Sequence, residues 1–118
     1  MTPDAFRRIA LSLAGAEERE HMGHPDFRVG GKIFATLGYP DAKFGTVMIS
    51  LEDQSLLVQK YPQAFAPAPG AWGRSGSTSV HLRHAPARAL RIAIEAAWER
   101  RGSSATASRT RSRKKPKA

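Results

Sequence analysis

The stretch Asp26-Phe27-Arg28-Val29-Gly30-Gly31-Lys32-Ile33-Phe34-Ala35-Thr36-Leu37 decides how the rest of the chain is read. Two strand-like runs flank a pair of glycines, and a two-residue turn whose positions both tolerate φ > 0 is the tightest link between antiparallel strands. A hairpin is therefore expected. Upstream, "EEREHM" (17–22) reads as a further short strand, set off by "GHP" (23–25), a turn signal in which Gly23 gives freedom and Pro25 fixes a backbone angle. Downstream, "TVMISL" continues the sheet after the loop "GYPDAKFG", and "AWG" with "STSVHL" reads as a closing strand pair around "RSGS".

Three helices frame these strands. The first starts at Thr2 as N-cap with Pro3 in the first helical position, places Phe6, Ile9, Ala10 and Leu13 on one stripe, and is expected to end at Gly15. The second starts at Ser50, with Asp53 completing a variant capping box and Pro62 beyond its end. "QAFAPAPGAWG" is rich in Pro and Gly and is expected to cross the surface. The third starts at Pro86, turns Leu90, Ile94, Ala97 and Trp98 inward and Arg91, Glu95, Glu99 and Arg101 outward, and is expected to stop at Gly102. This order argues for an α+β domain, an antiparallel sheet with helices packed on one face. Parallel, doubly wound folds lack the helices they need between strands.

The 118 residues suit one domain, read as residues 1–102, followed by a basic tail, 103–118. The formal charge is +9, from 19 Lys and Arg against 10 Asp and Glu. Two thirds of the excess sits in the tail, where Arg109, Arg111, Arg113, Lys114, Lys115 and Lys117 meet no acid and no large apolar residue. Such a segment cannot bury enough surface to fold alone and is expected to be disordered. With no cysteine, disulfides, thiolate metal sites and cysteine nucleophiles are excluded. No run resembles a signal peptide or reaches the ~20 apolar residues of a membrane helix, so a cytoplasmic protein is expected.

Several constellations could carry chemistry. His21, His24 and Asp26 are metal-ligand types, but Gly23 and Pro25 make their segment a turn whose side-chain directions the spacing does not fix, and the reading is a tight sheet corner. Arg28 and Lys32 flank the glycine turn as a basic hairpin tip able to contact phosphates without reading sequence. Arg74 lies in "GAWGRSGST", whose glycines and hydroxyls could form an anion-binding concavity, though the segment matches no P-loop, nucleophile elbow or dinucleotide fingerprint. Trp72 and Trp98 are expected in the core rather than as base-stacking platforms. His81 and His84 flank the last strand with nothing to order them as a catalytic set. No catalytic residue, metal site or cofactor is assigned.

"FRRIALSLAGAEE", "HPDFRVGGKIFATLG", the Q in "LEDQSLLVQKYPQAFAPAPGAWG", "STSVHL" and the terminal "AAW" together resemble the MmcQ/YjbR family, over about Phe6 to Arg101. The resemblance implies a CyaY-like α+β domain and a DNA-binding role. The iron-binding acidic first helix of frataxin-like relatives is absent, since Arg7 and Arg8 face a lone Asp4. The expectation is a non-enzymatic DNA-binding protein using Arg28, Lys32, Arg74 and the tail cations. The alternative is a small-ligand or protein-interaction domain with a groove between the sheet and "PQAFAPAPG".

Overall fold

The computed structural model describes residues 1–39 and 41–106, with the backbone alone for His21 and residues 103–106. The central hairpin is β2 (His24–Val29) and β3 (Lys32–Leu37), and its turn residues Gly30 and Gly31 take φ of 58° and 81°. Two positive φ values in succession give the turn whose twist matches the strands it joins. Before it lies β1 (Glu17–His21), paired residue for residue with β2. The link between them is Met22-Gly23, with φ of 51° and 82°, so Pro25 sits inside β2 and is not the turn residue the sequence suggested.

After β3 come β4 (Phe44–Met48), β5 (Phe65–Pro67) and β6 (Ser77–His81), in a six-stranded antiparallel sheet of order β1-β2-β3-β4-β6-β5. Register fixes what each face carries, because directly paired residues share a face and neighbours along a strand do not. Phe27, Ala35, Val47 and Thr78 form one such row, and Leu37, Gly45, Val80 and Phe65 belong to the same face. A bulge sets Phe27 and Arg28 against Ala35 and Ile33, leaving Phe34 as the extra residue. Phe34 and Ala35 are consecutive, and both are fully buried, which strict alternation would forbid.

The helices cover this face alone. α1 (Pro3–Leu11) lays Phe6 against Phe27 and over Gly45, where a Cβ would stand 2.8 Å from the ring. α4 (Ala87–Thr106) crosses β2, β3 and β4 and buries Ala89, Leu90, Ala93, Ile94 and Ala97. α2 (Leu51–Lys60) packs on β5 and α4 through Leu57. Thr2 and Ser50 cap their helices as expected, accepting from the N–H groups of Ala5 and Asp53 at 3.1 and 3.0 Å.

Three expectations are corrected. α1 ends at Leu11 with Ser12 as its cap, and Gly15, at φ 74°, serves the turn into β1. Gly102 does not stop α4, which runs to Thr106: a C-terminal glycine cap needs positive φ, and Gly102 is not in that conformation. "AWG" is not a strand but part of α3 (Gly70–Arg74), while the strand lies earlier, in the Pro-rich crossing, as β5. Proline is tolerated there because β5 is an edge. Its Ala64 and Ala68 ends bond to β6, the Phe65 N–H donates to the Tyr61 carbonyl, and Pro67 has no N–H. The tail cations Arg109 to Lys117 lie outside the described residues.

Candidate functional site on the open face of the sheet

The face turned away from the helices carries Arg19, Asp26, Thr36, Thr46, Ser79 and Ala66 in one row and Phe44 with His81 in another. Among the described residues no helix lies over it. On its β2 side, Asp26 is fully buried and receives two hydrogen bonds from Arg28, Nε to Oδ1 at 2.9 Å and Nη2 to Oδ2 at 3.1 Å. This fork geometry is the strongest an arginine makes with a carboxylate. Hydrogen bonding to Asp26 raises the Arg28 pKa above the ordinary arginine value against the opposing cost of desolvation, and the charges of Asp26 and Glu17 add to the rise. Near neutrality the guanidinium is fully charged, and the stability gained this way is lost on the alkaline side only as pH climbs through the raised value, so the arginine is no switch near neutrality. Arg19 in turn lies 3.8 Å from Glu17.

The basic hairpin tip is thereby taken apart. Arg28 pairs across from Ile33 and Lys32 across from Val29, so the two cations point to opposite faces of the ribbon, and of the two only Lys32 is exposed without an ion partner among the described residues. Arg74 is exposed on α3, at the same end of the sheet as the hairpin tip but beyond β4 and β6. His24 and Asp26 share the open face, yet Asp26 is committed to Arg28, and no group of three metal-ligating side chains comes together among the described residues.

Trp72, expected in the core, is 62% exposed. The reason is its neighbour: Gly73 is pressed so closely on Ala68 that a Cβ would stand 1.8 Å from its carbonyl oxygen, which turns the tryptophan outward. Gln54 fixes this corner by donating from Nε2 to the carbonyls of Gly73 and Ser77, both at 3.0 Å. Trp98 is half-buried, its indole N–H donating to the Ala14 carbonyl at 2.8 Å.

The opposite end of the open face gathers rings and cations that the sequence did not order. The Phe44 and His81 rings lie 4.8 Å apart, and His81 and His84 lie 4.5 Å apart, within the range of favourable ring contacts. Leu82 donates its N–H to the Lys43 carbonyl, which ties the strand carrying Phe44 to the 3-10 turn Leu82–His84, where Arg83 is exposed. Against these rings opens a hollow of about 210 Å³ lined by Phe44, Ser79 and His81 on one side and by Pro62 to Ala66 on the other. It lies where the Pro-rich crossing meets the sheet. Between Asp53 and Glu95 the chain has no acid, while Lys60, Arg74, Arg83, Arg88 and Arg91 fall in that interval. The interval forms most of α2, β5, α3, β6 and the start of α4, so these segments contribute exposed cations and no carboxylate.

The sequence profile described as YjbR matches residues 11–100. The chain belongs to the YjbR family. A solved structure similar to it is the crystal structure of the Deinococcus radiodurans protein DR2400, a DUF419 domain, with TM-score 0.68 and 20% identity over 81% of this chain and 75% of that one. At that identity the likeness shows a shared fold. A comparison with curated protein sequences finds no match. Among the described residues of this YjbR chain no helix is long and apolar enough to cross a membrane.

Proposed function

We propose that this YjbR chain is a non-enzymatic, cytoplasmic DNA-binding protein that holds phosphates with Arg74, Arg83 and Arg88 of its acid-free interval and adds affinity through the tail cations. The observation that carries this reading is the interval from Asp53 to Glu95, which contributes exposed cations and no carboxylate to the surface. Cations free of internal partners are those able to displace counterions from a phosphate backbone. Arg28 is withdrawn from the interface because Asp26 already occupies its guanidinium.

The test is duplex DNA binding by the full chain over a salt series, beside two full-length variants. One replaces Arg109, Arg111, Arg113, Lys114, Lys115 and Lys117 with Ser; the other carries Arg74→Ala, Arg83→Ala and Arg88→Ala. The tail variant is expected to keep measurable, salt-dependent binding, and the body variant to lower the log-log salt slope by about 0.9 for each phosphate no longer neutralised. Binding that disappears with the tail cations alone would remove the folded domain from the interface. The hollow favours a second reading, a small-ligand domain, which a ligand-induced rise in melting temperature without DNA binding would support.

A further inference from the structure

We infer that the hollow beside Phe44 and His81 receives an unpaired nucleobase, so that the protein prefers single strands over duplex. This rests on the proposed DNA-binding role and adds to it a site and a class of substrate. Phe44, His81 and His84 form a chain of three contacting rings on the open face, none of them in the core. Stacking on aromatic and histidine rings is how bases splayed from a helix are held, and it tolerates any base because each has a π-face. A duplex keeps its bases stacked inside and offers one only at the cost of unstacking and unpairing it.

The hollow also has the right size and lining. At about 210 Å³ it is smaller than the 300–1,000 Å³ of drug-sized pockets and fits one flat ring. Pro62 and Ala66 give it an apolar rim, and Ser79 with Gln63 supplies a hydroxyl and an amide able to meet the donors and acceptors of a base edge. The floor is braced, since the His81 backbone N–H donates to the Ala64 carbonyl at 2.7 Å. Lys43 and Arg83, adjacent in sequence to Phe44 and His84, are exposed at this end of the sheet and suit the phosphates on either side of the held base.

The experiment measures full-chain binding to a labelled short oligothymidylate, its RNA counterpart, and a strand of equal length and charge built from abasic residues, with duplex DNA alongside. The protein is expected to bind a base-bearing strand roughly tenfold tighter than the abasic one, as loss of a single stacked base implies. The double variant Phe44→Leu, His81→Asn, which keeps side-chain bulk but removes both rings, is expected to lose that preference. Ala66→Glu, at an exposed position on the hollow's rim, leaves the rings in place and is expected to lose it too, so the result does not hang on one variant's folding, which circular dichroism monitors. The DNA and RNA arms show which backbone accompanies the base. Equal binding of base-bearing and abasic strands, with duplex still bound, overturns the hollow as a base site while leaving the DNA-binding role intact. Failure to bind any strand or duplex overturns both, and full preference retained by both variants places the stacking elsewhere and overturns the assignment.

Discussion

On the β1 and β2 side of the sheet, Arg19 is answered by Glu17 and Arg28 by Asp26, and Glu18 takes Arg7 from α1 at 3.0 Å. On the β5 and β6 side, Arg74, Arg83 and Arg88 have no ion pair among the described residues, and what holds that side together is neutral: Gln54 on two carbonyls and the Thr78 hydroxyl donating to Gly76. One side turns its charges on itself and the other keeps them for solvent. A count of basic residues therefore misjudges an interface. Arg28 and Arg74 look alike in sequence, yet only the second is available to a polyanion.

The comparison breaks most visibly at Arg28. Arg28→Ala leaves the Asp26 carboxylate buried without its partner and is expected to give the largest loss of stability, read as the urea midpoint, while the double change Asp26→Leu, Arg28→Met restores much of it. If the single variant is as stable as the parent, the ionic side is not held by its pair. On the neutral side, Gln54→Leu removes one donor each from the Gly73 and Ser77 carbonyls, which keep the N–H groups of Gly76 and Ala68, and is expected to cost about 0.5–1.5 kcal/mol per bond lost in equilibrium denaturation. Placing an acid in the acid-free interval, as Arg83→Glu, is expected to weaken duplex binding several-fold at low salt and hardly at all at high salt, with little change in melting temperature. The smallest expected effect is at the β1–β2 turn, where Met22 occupies the left-handed region at φ 51°; Met22→Asn, the residue favoured beside glycine in such turns, is expected to raise stability by about 0.5–1 kcal/mol in thermal denaturation.

Much of the fold was legible because its signals are local. Gly30-Gly31, the caps Thr2 and Ser50, and the inward stripe Leu90, Ile94 and Ala97 each state their role within a few residues. β5 and α3 were not legible, because Phe65–Pro67 becomes a strand only by pairing with β6, and the "AWG" helix is set by the contact of Gly73 with Ala68. The candidate site follows the same rule. Arg74 and Lys32 are exposed as read, but the tie between Arg28 and Asp26 depends on both facing away from Phe27, which only the register settles. Phe44, His81 and His84 meet across a sequence gap that no short motif spans. Two signals were present in the sequence: the alternation Ser77, Ser79, His81, which marks an outward row, and the long interval without an acid.

The short edge strand β5 has a bearing on how densely such a protein can be packed. Chains crowded side by side along a polyanion come close enough for exposed sheet edges to find one another, and an edge with free N–H groups would nucleate irreversible fibre growth. In this fold the Phe65 N–H is already taken by Tyr61 and Pro67 has none to give, while the far edge, β1, is lined with charged side chains from Glu17 to Glu20. One edge of the sheet thus lacks free donors and the other carries charge, which disfavours joining of copies sheet to sheet when they crowd together.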